Sequence, residues 1–207
     1  MAVLLTAGGL ALGFVVLIVV RRRLVGRLQA LENAFEPASA RVGGLIPSGI
    51  TGRWQGYTFR YSLQMRSNNS PGGATITSRV RAPFDWRAAA IWQGPKVANL
   101  AMLGLMQLGL LRDVKVGDPE LDRRLRFSAK DPQELTVAFG TVGLREAMQR
   151  LLGLKNFRSI AISRGTLVAV WTPRDPKLDE DIETVRGRLS ALVDLVSALG
   201  CSPMLDL

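Results

Sequence analysis

The 207-residue sequence predicts an α+β protein: a single N-terminal transmembrane helix, then one soluble domain with a mainly antiparallel sheet and about three helices. Three observations predict it. Residues Ala2 to Val20 carry no charge. From Tyr57 to Arg66 apolar and polar residues alternate strictly, the period of a half-buried strand. The later strand and helix signals do not follow each other as regular β-α-β units, which sets the chain apart from the parallel α/β folds.

The N-terminal run, interrupted only by the hydroxyl of Thr6, makes about 28 Å of helix, close to the hydrocarbon thickness of a bilayer. A signal peptide would carry basic residues before the run and small residues at a cleavage site after it. Here Ile18, Val19 and Val20 precede Arg21, so the run reads as an uncleaved anchor over residues 1–20. Arg21, Arg22, Arg23 and Arg27 follow it and no Lys or Arg precedes it. The positive-inside rule then predicts a single-pass protein of the inner (cytoplasmic) membrane, N-terminus outside and C-terminal domain cytoplasmic, with the Arg cluster at anionic lipid headgroups. In that compartment the single cysteine, Cys201, stays a reduced thiol. Gly9 and Gly13 form a Gly-x-x-x-Gly pair, either a contact for a neighbouring helix or the ordinary glycine content of membrane spans.

Leu24, Leu28, Leu31 and Phe35 then fall on one helical stripe, predicting a juxtamembrane helix over residues 21–36 that Pro37 ends. With under two heptads the stripe reads as lying on the protein's own domain or at the membrane surface sooner than as a coiled-coil contact. Residues 37–51, with Pro37, Gly43, Gly44, Pro47 and Gly49, read as a linker, residues 52–200 as the domain and 201–207 as a tail. Within the domain, a short strand at Gly52–Gly56, the alternating strand from Tyr57 and another at Ala74–Arg81 predict a three-stranded meander. Tyr57, Phe59, Tyr61, Leu63 and Met65 face the core, and Arg60, Arg79 and Arg81 face outward. Residues 97–111 are apolar except for Asn99 and Gln107. This segment, with Leu100 and Leu103, reads as a buried core helix, a docking face for another membrane subunit, or an in-plane interfacial helix introduced by Trp86, Trp92 and Lys96.

Alternation across Arg124–Lys130 predicts a strand. Asp131-Pro132-Gln133-Glu134 opens a helix to about Leu152, broken near Gly140 and Gly143. Phe157–Ile162 and Thr166–Trp171 form a hairpin across Ser163-Arg164-Gly165, and a final amphipathic helix runs from about Leu178 to Leu199, ended by Gly200.

Composition excludes much chemistry. With no His there is no imidazole base, Ser-His or Cys-His dyad, and one Cys excludes an internal disulfide. No phosphate-cradling glycine motif or nucleophile elbow occurs. Asp113, Asp118, Glu120 and Asp122 cluster, but Arg112, Lys115, Arg123, Arg124 and Arg126 surround them, so a capped turn with salt bridges is the better account than a site for a hard cation. No catalytic residue, metal or cofactor is expected. The net charge is +10, and nearly all the excess lies in residues 21–99. An Arg face there suits anionic lipid or an acidic protein; nucleic acid is the weakest choice, because Tyr57, Phe59 and Tyr61 fall opposite Arg60.

The stretch Val116-Gly117-Asp118-Pro119-Glu120-Leu121-Asp122-Arg123 resembles the Gly-Asp-Pro-x-Phe-Asp-Arg pattern of uncharacterised, membrane-anchored bacterial proteins, with Leu121 in place of the usual Phe. The likeness covers roughly residues 110–200 and implies architecture and anchoring, not chemistry.

The function expected from all this is non-catalytic: an accessory or scaffolding subunit of a larger membrane protein complex. The contacts expected with lipid or other membrane subunits are Gly9, Gly13, Arg21, Arg22, Arg23, Leu24, Arg27, Leu28, Leu31, Trp92, Leu100 and Leu103. The rival expectations are a membrane-tethered sensor or ligand-binding domain, and a lipid or nucleic-acid binder using the Arg face.

Overall fold

Strict alternation allows a strand to bury one face and leave the other exposed, and here one sheet does so over its whole width. The computed structural model describes residues 22, 25–37, 39–42, 49–64, 67, 71–91 and 113–204. Nine strands form the sheet: β1 (Arg41–Val42), β2 (Gly49–Trp54), β3 (Tyr57–Gln64), β4 (Gly73–Arg81), β5 (Trp86–Ala90), β6 (Leu125–Ala129), β7 (Phe157–Ser163), β8 (Thr166–Trp171) and β9 (Ser202–Pro203). The order is β1-β2-β3-β4-β8-β7-β5-β6, with β9 on β4. Every pairing is antiparallel.

One register row crosses seven strands as Ile50, Tyr61, Ile76, Ala169, Ile160, Ala88 and Phe127. All seven are buried. Against this inner face lie α1 (Pro119–Arg124), α2 (Pro132–Ala138), α3 (Val142–Gly153), α4 (Pro176–Asp179) and α5 (Ile182–Ala198). Leu144, Met148 and Leu151 of α3, and Val185, Leu189, Leu192 and Val196 of α5, recur at three- and four-residue spacings and join the strand residues in a single core. Four of the five helices begin with an Asp N-cap whose carboxylate accepts backbone N–H groups: Asp118, Asp131, Asp175 and Asp181. Arg164 and Gly165, both at positive φ, make the two-residue β7–β8 turn that the strand twist favours.

The chain is helical over residues 25–30 and tightens into a 3₁₀ turn at Leu31–Ala34. Leu28, Leu31, Ala34 and Phe35 are buried. This stripe packs on β2 and α5, so Leu28 and Leu31 are spent on the domain's own core, not on a partner or a membrane. Gly52 makes the packing of Phe35 possible, since a Cβ there would stand 2.6 Å from the Phe35 ring. The expected linker contains β1 and opens β2, so the chain joins the sheet well before residue 52.

The expectation of a transmembrane helix is corrected. Among the described residues no helix is long and apolar enough to cross a membrane. The helical stretch after the expected span turns into the domain core instead of extending a membrane rod. What stands is an α+β fold built on one large antiparallel sheet. The single-pass topology, the N-terminus-outside orientation and the location in the cytoplasmic membrane fall with that helix. The expected span at residues 1–20, with Gly9 and Gly13, lies outside the described residues. So do Arg21, Arg23, Leu24, Trp92, Leu100, Leu103 and the whole of segment 97–111.

Candidate binding face

The nine strands contain eight arginines (Arg41, Arg53, Arg60, Arg79, Arg81, Arg87, Arg126 and Arg158) and not one Lys, Asp or Glu. The register arranges all but Arg158, which falls at the β7 irregularity, on the face away from the helices. One row runs Thr51, Arg60, Thr77, Val168, Ala161, Arg87 and Ser128; the next runs Ser62, Thr75, Val170, Ser159, Ala89 and Arg126. Pairing of Arg79 with Thr166 adds a cation at one end of the floor, and Arg81 lies beyond it.

The centre of this face, on β4, β8, β7 and β5, therefore carries Thr75, Thr77, Val168, Val170, Ser159, Ala161 and Ala89, none larger than valine. All seven are partly exposed. Arg53 and Arg60 stand on one side, Arg79 and Arg81 at one end, and Arg87 and Arg126 on the other side; all six are exposed. Arg60 and Arg87 lie four strands apart, about 19 Å at the usual strand spacing. The result is a low floor fenced on three sides by guanidinium groups.

Two acids beside the fence are engaged in the fold. Asp85, in the β4–β5 connection, accepts the Arg164 backbone N–H at 2.9 Å and the Ser163 hydroxyl at 3.3 Å. Asp113 pairs with Arg126 at 2.8 Å and Lys115 at 3.6 Å. Arg158, half-buried, donates to the Ala90 carbonyl at 3.3 Å. Guanidinium is planar and presents paired donors that match carboxylate or phosphate oxygens, so a face using Arg and no Lys suits bidentate anion recognition.

Beneath the floor lies a buried polar cluster. Arg188 of α5 donates to Asp179 Oδ1 at 2.9 Å and to the Tyr61 hydroxyl at 3.0 Å, and its guanidinium sits 4.9 Å from the centre of the Trp171 ring. The Tyr61 hydroxyl donates to the Asp179 carbonyl at 2.8 Å. Asp179 Oδ2 accepts the Asp175 N–H, closing the α4 turn. Burial pushes the Tyr61 hydroxyl well above its ordinary pKa, and the nearby Arg188 only partly offsets it. Beside the cluster Glu180 binds Arg174 at 2.5 Å and Arg27 at 3.4 Å.

Of the residues singled out in the sequence, Arg22 is exposed and Arg27 is committed to Glu180. Trp86 is no interfacial anchor: it lies on the inner face of β5, buried edge-on against Phe139 at 5.8 Å. The acids of the Gly-Asp-Pro stretch are structural. Asp118 caps α1 and also accepts from Gln149, Asp122 accepts the N–H groups of Val116 and Gly117, and Glu120 pairs with Arg124. Among the described residues no group of His, Cys, Asp and Glu could hold a metal ion. A cleft of about 510 Å³ opens between the C-terminal ends of α1 and α3, lined by Ile91, Arg123, Arg124, Lys155 and Phe157, but Arg124 and Lys155 there already pair with Glu120 and Asp175.

Sequence reasoning put Arg60, Arg79 and Arg81 on an outer face and Arg87 in the same basic region, but it missed the floor and the placement of Arg87 and Arg126 across it. The signal was present: in β5, Arg87 and Ala89 alternate with Trp86 and Ala88. The alternation is short, and only the register shows that Arg87 lies level with Arg60.

No protein-family model matches the chain, and no curated protein matches it. Among solved structures the chain is similar to the crystal structure of the mycobacterial trehalose monomycolate transport factor A. The two are 11% identical, the match covers 87% of this chain and 96% of the other, and the TM-score is 0.46. A likeness of that size carries no argument about function.

Proposed function

We propose that this protein is a non-catalytic binding domain, an accessory or scaffolding subunit that receives an acidic protein partner on the open sheet face. The observation that carries the reading is the composition of that face: guanidinium groups on three sides of a small-residue floor, in strands without a single acid. Structural need does not explain it. An antiparallel sheet exposed to water on one side needs polar residues on that face but does not need them all to be cations. Single-stranded nucleic acid is the poorer occupant because its binding relies on aromatic stacking, and the rings of Tyr57, Phe59 and Tyr61 are buried on the other face.

The test is a titration of the full chain with three probes: poly-L-glutamate, a single-stranded oligonucleotide and phosphatidylglycerol vesicles. Poly-L-glutamate should bind, weaken steeply as salt rises, and be lost in the Arg60→Glu, Arg79→Glu, Arg87→Glu variant. Tighter binding of the oligonucleotide or the vesicles at equal ionic strength would overturn the reading in favour of that class of partner.

A further inference from the structure

Resting on that reading, we infer that the partner presents an amphipathic α-helix, laid along the strands, with a small-residue stripe on the floor and acidic side chains on both flanks. The three central strands β4, β8 and β7 span about 10 Å, the width of one helix with its side chains. Their floor residues Thr77, Val168, Val170 and Ala161 offer a shallow apolar bed without a protruding ring or long chain. A helix on this bed brings one flank to Arg60 and the other to Arg87, with Arg126, paired with Asp113, beyond it. Arg79 and Arg81 close one end, where the negative end of a helix dipole is favoured, so the C-terminus of the partner helix points toward them.

Other occupants fit less well. An added strand needs a free edge, but β1 is two residues long and the β6 edge is bridged by Val114, whose N–H donates to the Phe127 carbonyl at 2.9 Å. A second copy of this chain would set Arg against Arg across the face. A partner sheet wide enough to cover the floor would press on the fence from both sides.

The experiment uses two synthetic peptides of identical composition, each about 18 residues, long enough to cover the floor as a helix. One places Ala and Leu on a single stripe with Glu on both flanks; the other shuffles the same residues so that no stripe exists. Fluorescence anisotropy with the full chain should show the striped peptide binding at least about tenfold tighter. Ala161→Trp and Ala89→Trp, each filling the bed without changing charge, should abolish that advantage while poly-L-glutamate still binds; circular dichroism checks their fold. Equal binding of the two peptides, or an advantage that survives both Trp variants, overturns the helix inference and leaves an acidic partner standing. Failure of both peptides and of poly-L-glutamate overturns the acidic partner as well.

Discussion

Arg188 shows how a single buried residue can organise a face it never reaches. Its guanidinium is 1% exposed and joins Asp179, Tyr61 and the ring of Trp171, tying α4 and α5 to strands β3 and β8 beneath the floor. Replacing Arg188 by Met leaves the Asp179 carboxylate buried and unpaired, at a cost of about 3–5 kcal/mol, measurable by urea unfolding. Tyr61→Phe removes only the hydroxyl bonds and should cost about 1–3 kcal/mol. The pH dependence has a definite sign. The Tyr61 pKa is raised on folding, so above about pH 10 the unfolded chain gives up a proton that the folded chain retains, and stability falls as pH rises. Cys201 acts in the same direction, because burial pushes its thiol up to about 11. Alkaline destabilisation should therefore be shallower in Tyr61→Phe and shallower still with Cys201→Ala added. At neutral pH Cys201 should react slowly with iodoacetamide in the folded protein and quickly once unfolded.

At the scale of elements, the strands and helix starts were legible because their signals are local. Alternation in β3 and β4, the Asp-Pro start of α2 and the Arg164-Gly165 turn each need only a few neighbouring residues. The fate of the Leu28 and Leu31 stripe was not, because a helical stripe says that something covers it and not what does. Here the cover is β2 and α5, with Phe35 fitted over Gly52. Gly52→Ala should cost about 1–3 kcal/mol by crowding the Phe35 ring. That cost should shrink in a Phe35→Ala background, where the obstacle is gone; thermal melts of the four-protein cycle check it. Asp118→Ala, which uncaps α1 and frees Gln149, should cost about 1–2 kcal/mol in the same assay.

For the whole molecule the informative quantity was register. Arg60 and Arg87 are 27 positions apart in the chain, yet four pairings through β4, β8 and β7 set them level across one face. No window of sequence contains that arrangement, because strand order β4-β8-β7-β5 depends on the closure of distant loops. The charge excess in residues 21–99 takes in Arg60, Arg79, Arg81 and Arg87, and of the fence only Arg126 on β6 lies beyond it. The prediction at this scale separates binding from folding. Arg79→Glu, at an exposed position, should change stability by no more than about 0.5 kcal/mol while weakening poly-L-glutamate at least about tenfold.

The all-guanidinium make-up of the sheet has a further result for how association responds to acid. Arginine keeps its proton throughout the accessible range, and this chain has no histidine to titrate near neutrality. The guanidinium groups of the fence therefore carry the same charge at pH 4 as at pH 9, so loss of the complex on acidification does not come from the arginines. Retention of the complex well below the ordinary carboxylate range, about 4, would identify phosphate esters, and not Asp or Glu, as the captured groups.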